Sequence, residues 1–268
     1  MTSLYIPKRV SEVKDFYDLL NITKVLRSEN GCPWDREQTH ESLKRYLIEE
    51  SYEVLEAIDD KDYDELVEEL GDVLFQIIFH AQIGSEEGFF NINDVLKVVC
   101  MKMINRHPHV FGSISVNTSD QVVDNWDKIK RKEQGLKSYT DELKHVPKNL
   151  PALMRAEKVQ KKAAKVGFDW DKVEDALDKV IEEYYEVKDA YKGEKRAKIL
   201  EEIGDLIFAS VNVARFLDID PEFALNYTIE KFINRFAYIE TSARSRNIDM
   251  KNMTLEQMDQ LWEKSKNK

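Results

Sequence analysis

Residues 47–81 read LIEESYEVLEAIDDKDYDELVEELGDVLFQIIFHA, two acidic helical patterns joined by a short polar turn. Glu50 and Glu53 stand three apart, so a helix carries them on one face. Glu69 and Asp72 repeat that spacing. If the two helices fold back as a hairpin, the four carboxylates converge. The apolar positions of the second helix, Leu66, Leu70, Val73, Leu74, Ile77, Ile78 and Ala81, form a helical stripe. At about 100 degrees per residue, Glu65, Glu69, Asp72 and Gln76 fall beside that stripe. The acids are therefore expected at the edge of a buried face.

The stretch occurs twice. Residues 181–209 read IEEYYEVKDAYKGEKRAKILEEIGDLIFA. In this copy Glu183, Glu186, Glu202 and Asp205 match Glu50, Glu53, Glu69 and Asp72, all at one constant offset along the chain. The repeat extends further with small register shifts. Trp34-Asp35 answers Trp170-Asp171, Ile104-Asn105-Arg106 answers Ile233-Asn234-Arg235, and the Trp126–Lys130 run answers Trp262–Lys266. An internal duplication follows, and two copies are too few for a solenoid.

The chain around these repeats reads as helix throughout. Only 9 glycines and 6 prolines interrupt 268 residues, and period-two alternation is almost absent. The spacing predicts helices over 19–27, 40–58, 64–83, 92–105 and 119–135. They follow a leader that reaches to Leu20 and is itself partly helical. The stretch ENGCPWDREQT reads as a loop, as does HPHVFGSISVNTS, and residues 59–62 form the turn. Residues 135–151 carry a glycine, two prolines and mixed polar residues, the composition of a linker. Helices then recur over 152–166, 173–191, 196–217, 221–246 and 254–266. The expected fold class is all-α, with helical units at 1–135 and 152–268 and a linker at 136–151.

Composition narrows the function. With 42% apolar and 34% charged residues, the chain is a charged globular protein rather than a disordered one. No apolar run approaches the roughly 20 residues needed to span a bilayer. The opening MTSLYIPKRVSEVKDF lacks the apolar core of a signal peptide. Cys32 and Cys100 are not spaced as a metal or redox pair and read as free thiols of a reducing cytoplasm. A net charge of -11 argues against general nucleic-acid binding, yet admits an anionic ligand if cations intervene.

Carboxylates clustered beside an apolar face repel one another and lose hydration, which is costly unless a cation sits among them. All-oxygen ligand sets suit hard cations, Mg²⁺ or Mn²⁺, and Mg²⁺ is commonly shared with substrate phosphates. A single Glu-x-x-Glu is usually a solvated face; two copies with matched spacing beside an apolar stripe favour a site. The absence of a Gly-x-x-x-x-Gly-Lys-Ser/Thr loop removes P-loop chemistry. His107-Pro108-His109 reads as a structural loop, and His40, His80 and His145 stand alone in the sequence. Trp34 and Trp170 fall in loops, as packing anchors or base contacts.

Glu-Glu-x-x-Glu followed by Glu-Glu-Leu/Ile-Gly-Asp, with NGCPWD, RHPHVF, LPALMRAEKVQKKAAKVGFDW and the duplication itself, resembles the MazG-type nucleoside triphosphate pyrophosphohydrolases over nearly the whole chain. The resemblance implies a four-helix-bundle active unit, usually dimeric. It implies Mg²⁺-dependent hydrolysis of nucleoside triphosphates to monophosphate and pyrophosphate by metal-activated water attack at the α-phosphorus, and a role in clearing or regulating nucleotide pools. Its metal-binding acids carry over to Glu50, Glu53, Glu69 and Asp72 and to Glu183, Glu186, Glu202 and Asp205. Its phosphate- and nucleotide-contacting residues correspond to Lys179, Lys198, Lys231, Arg235, Trp262 and Lys266. Lys and Arg can offset the charge of a metal-bound triphosphate, and Trp can stack on a base without reading it closely.

Two other readings compete. A carboxylate-bridged di-iron bundle usually pairs its acids with Glu-x-x-His, which neither acidic pair has. A non-catalytic nucleotide-sensing or partner-binding module remains open, above all for the first copy. Lys198 stands one turn before Glu202, and Glu65 holds the matching place before Glu69. A lysine there can reach a phosphate, whereas a glutamate repels it, so the second copy is expected to be the principal catalytic site. Lys102 and Arg106 match the spacing of Lys231 and Arg235 and discriminate little.

Overall fold

The computed structural model describes residues 15–193 and 195–266. The leader expected up to Leu20 lies largely outside them. About 75% of the chain is helical, and no strand occurs among the described residues. The chain divides into two compact units, 1–130 and 131–268.

In the first unit α1 (Phe16–Leu26), α2 (Pro33–Glu37), α3 (Lys44–Asp60), α4 (Tyr63–Glu86), α5 (Ile92–Arg106), α6 (Pro108–Phe111) and most of α7 (Ser119–Glu133) follow one another. α3 and α4 form the hairpin. Lys61 closes α3 in the left-handed conformation at φ 57°. Asp62 opens α4, its carboxylate accepting from the backbone N–H of Asp64 and Glu65 at 3.1 Å each, which satisfies donors no helix can pair internally. Asp15 caps α1 in the same way, and Asn91 forms a capping box at α5.

α1 and α5 both pack on α4. The core joins Leu43, Phe79 and Ile83, with Tyr46 and Phe75 against it. Arg27 ties the loop after α1 to this core. Its guanidinium lies 5.2 Å from the Phe79 ring centroid, pairs with Glu86 at 2.7 Å and donates to the Asp35 carbonyl at 2.6 Å.

Several features of this unit differ from the sequence reading, and one is α6, a short helix inside the stretch HPHVFGSISVNTS read as a loop. α2 interrupts the expected loop because Pro33 presets the dihedral of a first helical residue, and Trp34 is therefore helical. α3 begins at Lys44 rather than residue 40, since Thr39 and Ser42 exchange side-chain and backbone hydrogen bonds in a turn. His40 and His80 do not stand alone. Their Nδ1 atoms lie 2.7 Å apart and their rings stack, a contact far apart in the chain that no local pattern announces.

The second unit holds α8 (Tyr139–Lys144), α9 (Ala152–Ala164), α10 (Val173–Lys192), α11 (Arg196–Phe216), α12 (Pro221–Arg244) and α13 (Leu255–Ser265). α8 lies in the stretch read as a linker and packs on α9. Arg131 pairs with Glu142 at 3.0 Å and covers the Tyr139 ring, so residues 131–151 group with this unit. α10 and α11 repeat the hairpin, α9 packs on α11 and α12, and α13 lies on α12.

The apolar stripe expected to be buried is only partly so. Ile78 and Ala81 are buried and Leu66 and Val73 half-buried, while Leu70, Leu74 and Ile77 remain exposed, as do Ile203 and Ile207 at related places on α11.

Candidate active site

In the first unit the hairpin brings carboxylate oxygens of Glu50, Glu69 and Asp72 within 4.8 Å of one another. Glu53, on the turn after Glu50, shares a hydrogen bond with it. Glu69 is buried at 8% exposure, and its Oε2 has no hydrogen-bond partner. Burial, the Glu53 hydrogen bond and the charges of Asp72, Glu53 and Glu69 push the Glu50 carboxyl up to about 7. Burial, then Glu53 and Asp72, also raises Glu69. Every charge identified around these two groups is acidic.

The second unit assembles Glu183, Glu186 and Glu202 within the same 4.8 Å. Asp205 falls outside that triplet and lines the cleft beside it. The environment differs in one respect. Lys179 pairs with Glu183 at 2.6 Å and Glu182 at 2.8 Å, and Lys198 pairs with Glu202 and, at 3.4 Å, with Glu201. Both lysines are raised by these partners. The Lys198 hydrogen bond holds Glu202 below the usual carboxylate range, although Glu202 is only 2% exposed. The hydrogen bond it shares with Glu202, followed by burial, raises Glu186. Glu69 and Glu202 thus shift in opposite directions: burial, Glu53 and Asp72 dominate at Glu69, with Glu65 a smaller contributor, whereas the Lys198 hydrogen bond dominates at Glu202. At the Lys179 position the first unit has Tyr46.

Even with the lysines, Glu183 Oε2 and Glu202 Oε2 are buried without partners. Unsatisfied carboxylate oxygens inside a cluster are what a hard cation would coordinate, and the donor set is all oxygen. Both clusters therefore fit a divalent ion.

Lys231, Arg235 and Lys266 line one cleft of about 540 Å³ on α12 and α13, together with Tyr227 and Tyr238. The Arg235 guanidinium lies 5.4 Å from the Trp262 ring centroid. None of the clustered acids lines that cleft. Arg106 over Trp126, at 5.2 Å, repeats the arrangement in the first unit.

Sequence reasoning missed Gln160 and Asn212, which stand in the cleft beside the second acid cluster. Their signal was weak, one amide each on α9 and α11 with no repeated spacing to mark it.

A family model described as the MazG nucleotide pyrophosphohydrolase domain matches the chain twice, at residues 38–111 and 172–239, and each match contains one acidic hairpin. The chain is 45% identical over 253 residues to the Escherichia coli K12 nucleoside triphosphate pyrophosphohydrolase, covering 92% of this chain and 95% of that protein. It is 44% identical over 251 residues to the Thermotoga maritima nucleoside triphosphate pyrophosphohydrolase/pyrophosphatase MazG, covering 94% and 95%. To the uncharacterized protein YabN of Bacillus subtilis it is 49% identical across 99% of this chain, which spans 55% of that longer protein.

Proposed function

The chain belongs to the MazG nucleotide pyrophosphohydrolase family, whose activity converts nucleoside triphosphates to monophosphates and pyrophosphate, and from that premise we propose that the second unit is its principal catalytic site. One observation carries the assignment: among the described residues, two lysines are seated on the carboxylates of the second acid cluster and none on those of the first.

We propose Mg²⁺, or Mn²⁺, as the cation, held by Glu183, Glu186, Glu202 and Asp205, with Glu50, Glu53, Glu69 and Asp72 as the corresponding set. Such a cation, when bound, offsets charge on the phosphate oxygens and on the departing pyrophosphate. The remaining work falls to the chain. Lys179 and Lys198 neutralise the empty cluster and turn to phosphate oxygens when a triphosphate arrives, which holds it for in-line attack. Lys231, Arg235, Trp262 and Lys266 supply further phosphate and nucleotide contacts.

A homodimer accounts for the open apolar faces. A second chain would cover Leu70, Leu74, Ile77, Ile203 and Ile207. Among the described residues no helix is long and apolar enough to cross a membrane. A cytoplasmic location fits Cys32 and Cys100, which are free thiols. Neither acid triplet contains a histidine, which weighs against a di-iron centre.

Incubation with ATP and Mg²⁺ tests the chemistry, with AMP and pyrophosphate as the expected products. Glu202→Gln with Asp205→Asn should remove most activity, and Glu69→Gln with Asp72→Asn should leave most of it. The reverse pattern would move the principal site to the first unit and reduce the second to binding.

A further inference from the structure

At the turn end of the α3–α4 hairpin lies a cavity of about 310 Å³ lined by six carboxylates, those of Glu53, Glu56, Asp60, Asp62, Glu65 and Glu69. No basic side chain among the described residues lines it. Like charges gathered around one small space repel and lose hydration unless a cation joins them. Glu69 is the buried acid of the set. It is 8% exposed, and its Oε2 has no hydrogen-bond partner. The other five are open to solvent, so a ligand can reach them.

A single hard cation does not answer the whole cavity. It needs oxygens that converge at about 2.0–2.6 Å from one point. Among the described residues the converging set of this unit is Glu50, Glu69 and Asp72, which shares only Glu69 with the cavity. Glu53 and Asp60 stand seven residues apart on α3, a separation of roughly 10 Å at about 1.5 Å per residue. The negative charge is therefore drawn out along the helix, and its complement is a long cation charged at both ends.

The second unit shows what such carboxylates accept. At the shared offset Asp189 answers Glu56 and Glu202 answers Glu69. Lys192 pairs with Asp189 at 3.1 Å, and Lys198 pairs with Glu202. Two ammonium groups, both from the chain itself, thus sit on the counterparts of an outer acid and of the buried one. In the first unit the places of those lysines are held by Asp59 and Glu65. The duplication kept the acids and reversed the charge that answers them.

We propose that the cavity binds a linear aliphatic polyamine, with one terminal ammonium at Glu65 and Glu69 and the other at Glu56 and Asp60. An ammonium offers three donors and no acceptor, which suits a lining made of acceptors. The methylenes between the charges pass Ala57, the apolar residue of the wall. This binding needs neither metal nor turnover, so it stands or falls separately from the assigned chemistry.

Isothermal titration of spermidine into the full chain, stripped of metal and in about 0.15 M salt to screen diffuse attraction, tests the proposal. One saturable site per chain is expected, and its absence would refute the cavity as a polyamine site. Glu56→Gln with Asp60→Asn removes two charges outside the converging set. It should weaken spermidine at least about tenfold and leave Mg²⁺ binding unchanged. Glu65→Lys installs the second unit's lysine and should abolish spermidine binding, because the chain then supplies its own ammonium. Octane-1,8-diamine should bind at least about tenfold more tightly than butane-1,4-diamine, which carries the same charge and cannot reach both ends. Glu256→Gln with Asp259→Asn removes the same charge from exposed positions on α13 and should change nothing. Equal losses in that control and in the cavity variant would mean polyamine gathering on an acidic surface, and would overturn the proposal. So would Mg²⁺ affinity that falls in step with spermidine affinity, since the cavity would then belong to the divalent-cation cluster. Spermidine held as tightly after Glu65→Lys, or the two diamines held equally, would overturn it as well.

Discussion

Removing one charge from the first acid cluster should stabilise the metal-free protein, in a defined pH window. Glu50 has a folded-state pKa of about 7, raised by burial, by Glu53 and by its acidic neighbours, against an ordinary 4.5. Between those values the folded chain holds a proton that the unfolded chain has lost. The stabilisation is complete below about pH 4.5 and disappears as pH rises through 7. The full shift corresponds to about 3.4 kcal/mol at 1.36 kcal/mol per pH unit. Solvent around a partly exposed carboxyl reduces this to about 1–2 kcal/mol. Glu50→Gln keeps the shape and removes the charge. Urea unfolding in EDTA should show the first unit more stable by that amount at pH 8 and unchanged at pH 4.5, which is about 3–8 °C in Tm. Excess Mg²⁺ should reverse the order, because the parent gains a bound cation and the variant has lost one of its ligands. Parallel stability curves for parent and variant between pH 5 and 8 would refute the repulsion argument.

Other expectations are simpler to state. Lys198→Glu places a third acid beside Glu201 and Glu202, so nucleotide affinity should fall at least tenfold; an unchanged KM would remove Lys198 from the site. Sedimentation at micromolar concentration should give twice the chain mass, and a monomer would leave the exposed α4 and α11 faces unexplained. Asp62→Ala deletes two cap hydrogen bonds and should cost about 1 kcal/mol in chemical denaturation.

The hairpins and their acids were legible because both signals are local. Helical period, acid spacing and the offset between copies need no knowledge of packing. Lys179–Glu183 and Lys198–Glu202 were legible in principle, being four apart on a helix. Sequence reading assigned those lysines to phosphate alone, and the structure adds that they neutralise the acids when no ligand is present. The His40–His80 pair was beyond reach because it depends on how the turn before α3 meets α4. The cleft beside the second acid cluster was hidden for a similar reason. It exists where α9 packs on α11, and the buried residues at the matched places in the first unit, Phe79 and Gln76, read in sequence as ordinary members of a helix.

The joint between the paired helices acts as a measuring device. The separation from Glu50 to Glu69 along the chain equals that from Glu183 to Glu202. The first joint turns at Lys61 and Asp62; the second lies between α10 and α11, has a different sequence, and opens α11 at Lys195 with no side-chain cap. What the two copies inherited in common is a count, while the letters drifted. One residue added or lost within either helix, between the joint and the acids, would rotate the acids beyond it by about 100 degrees and aim them away from their partners. Either helix would survive such an indel, and the cation pocket would not. Tolerance in this hairpin should therefore be wide for substitution and close to zero for length.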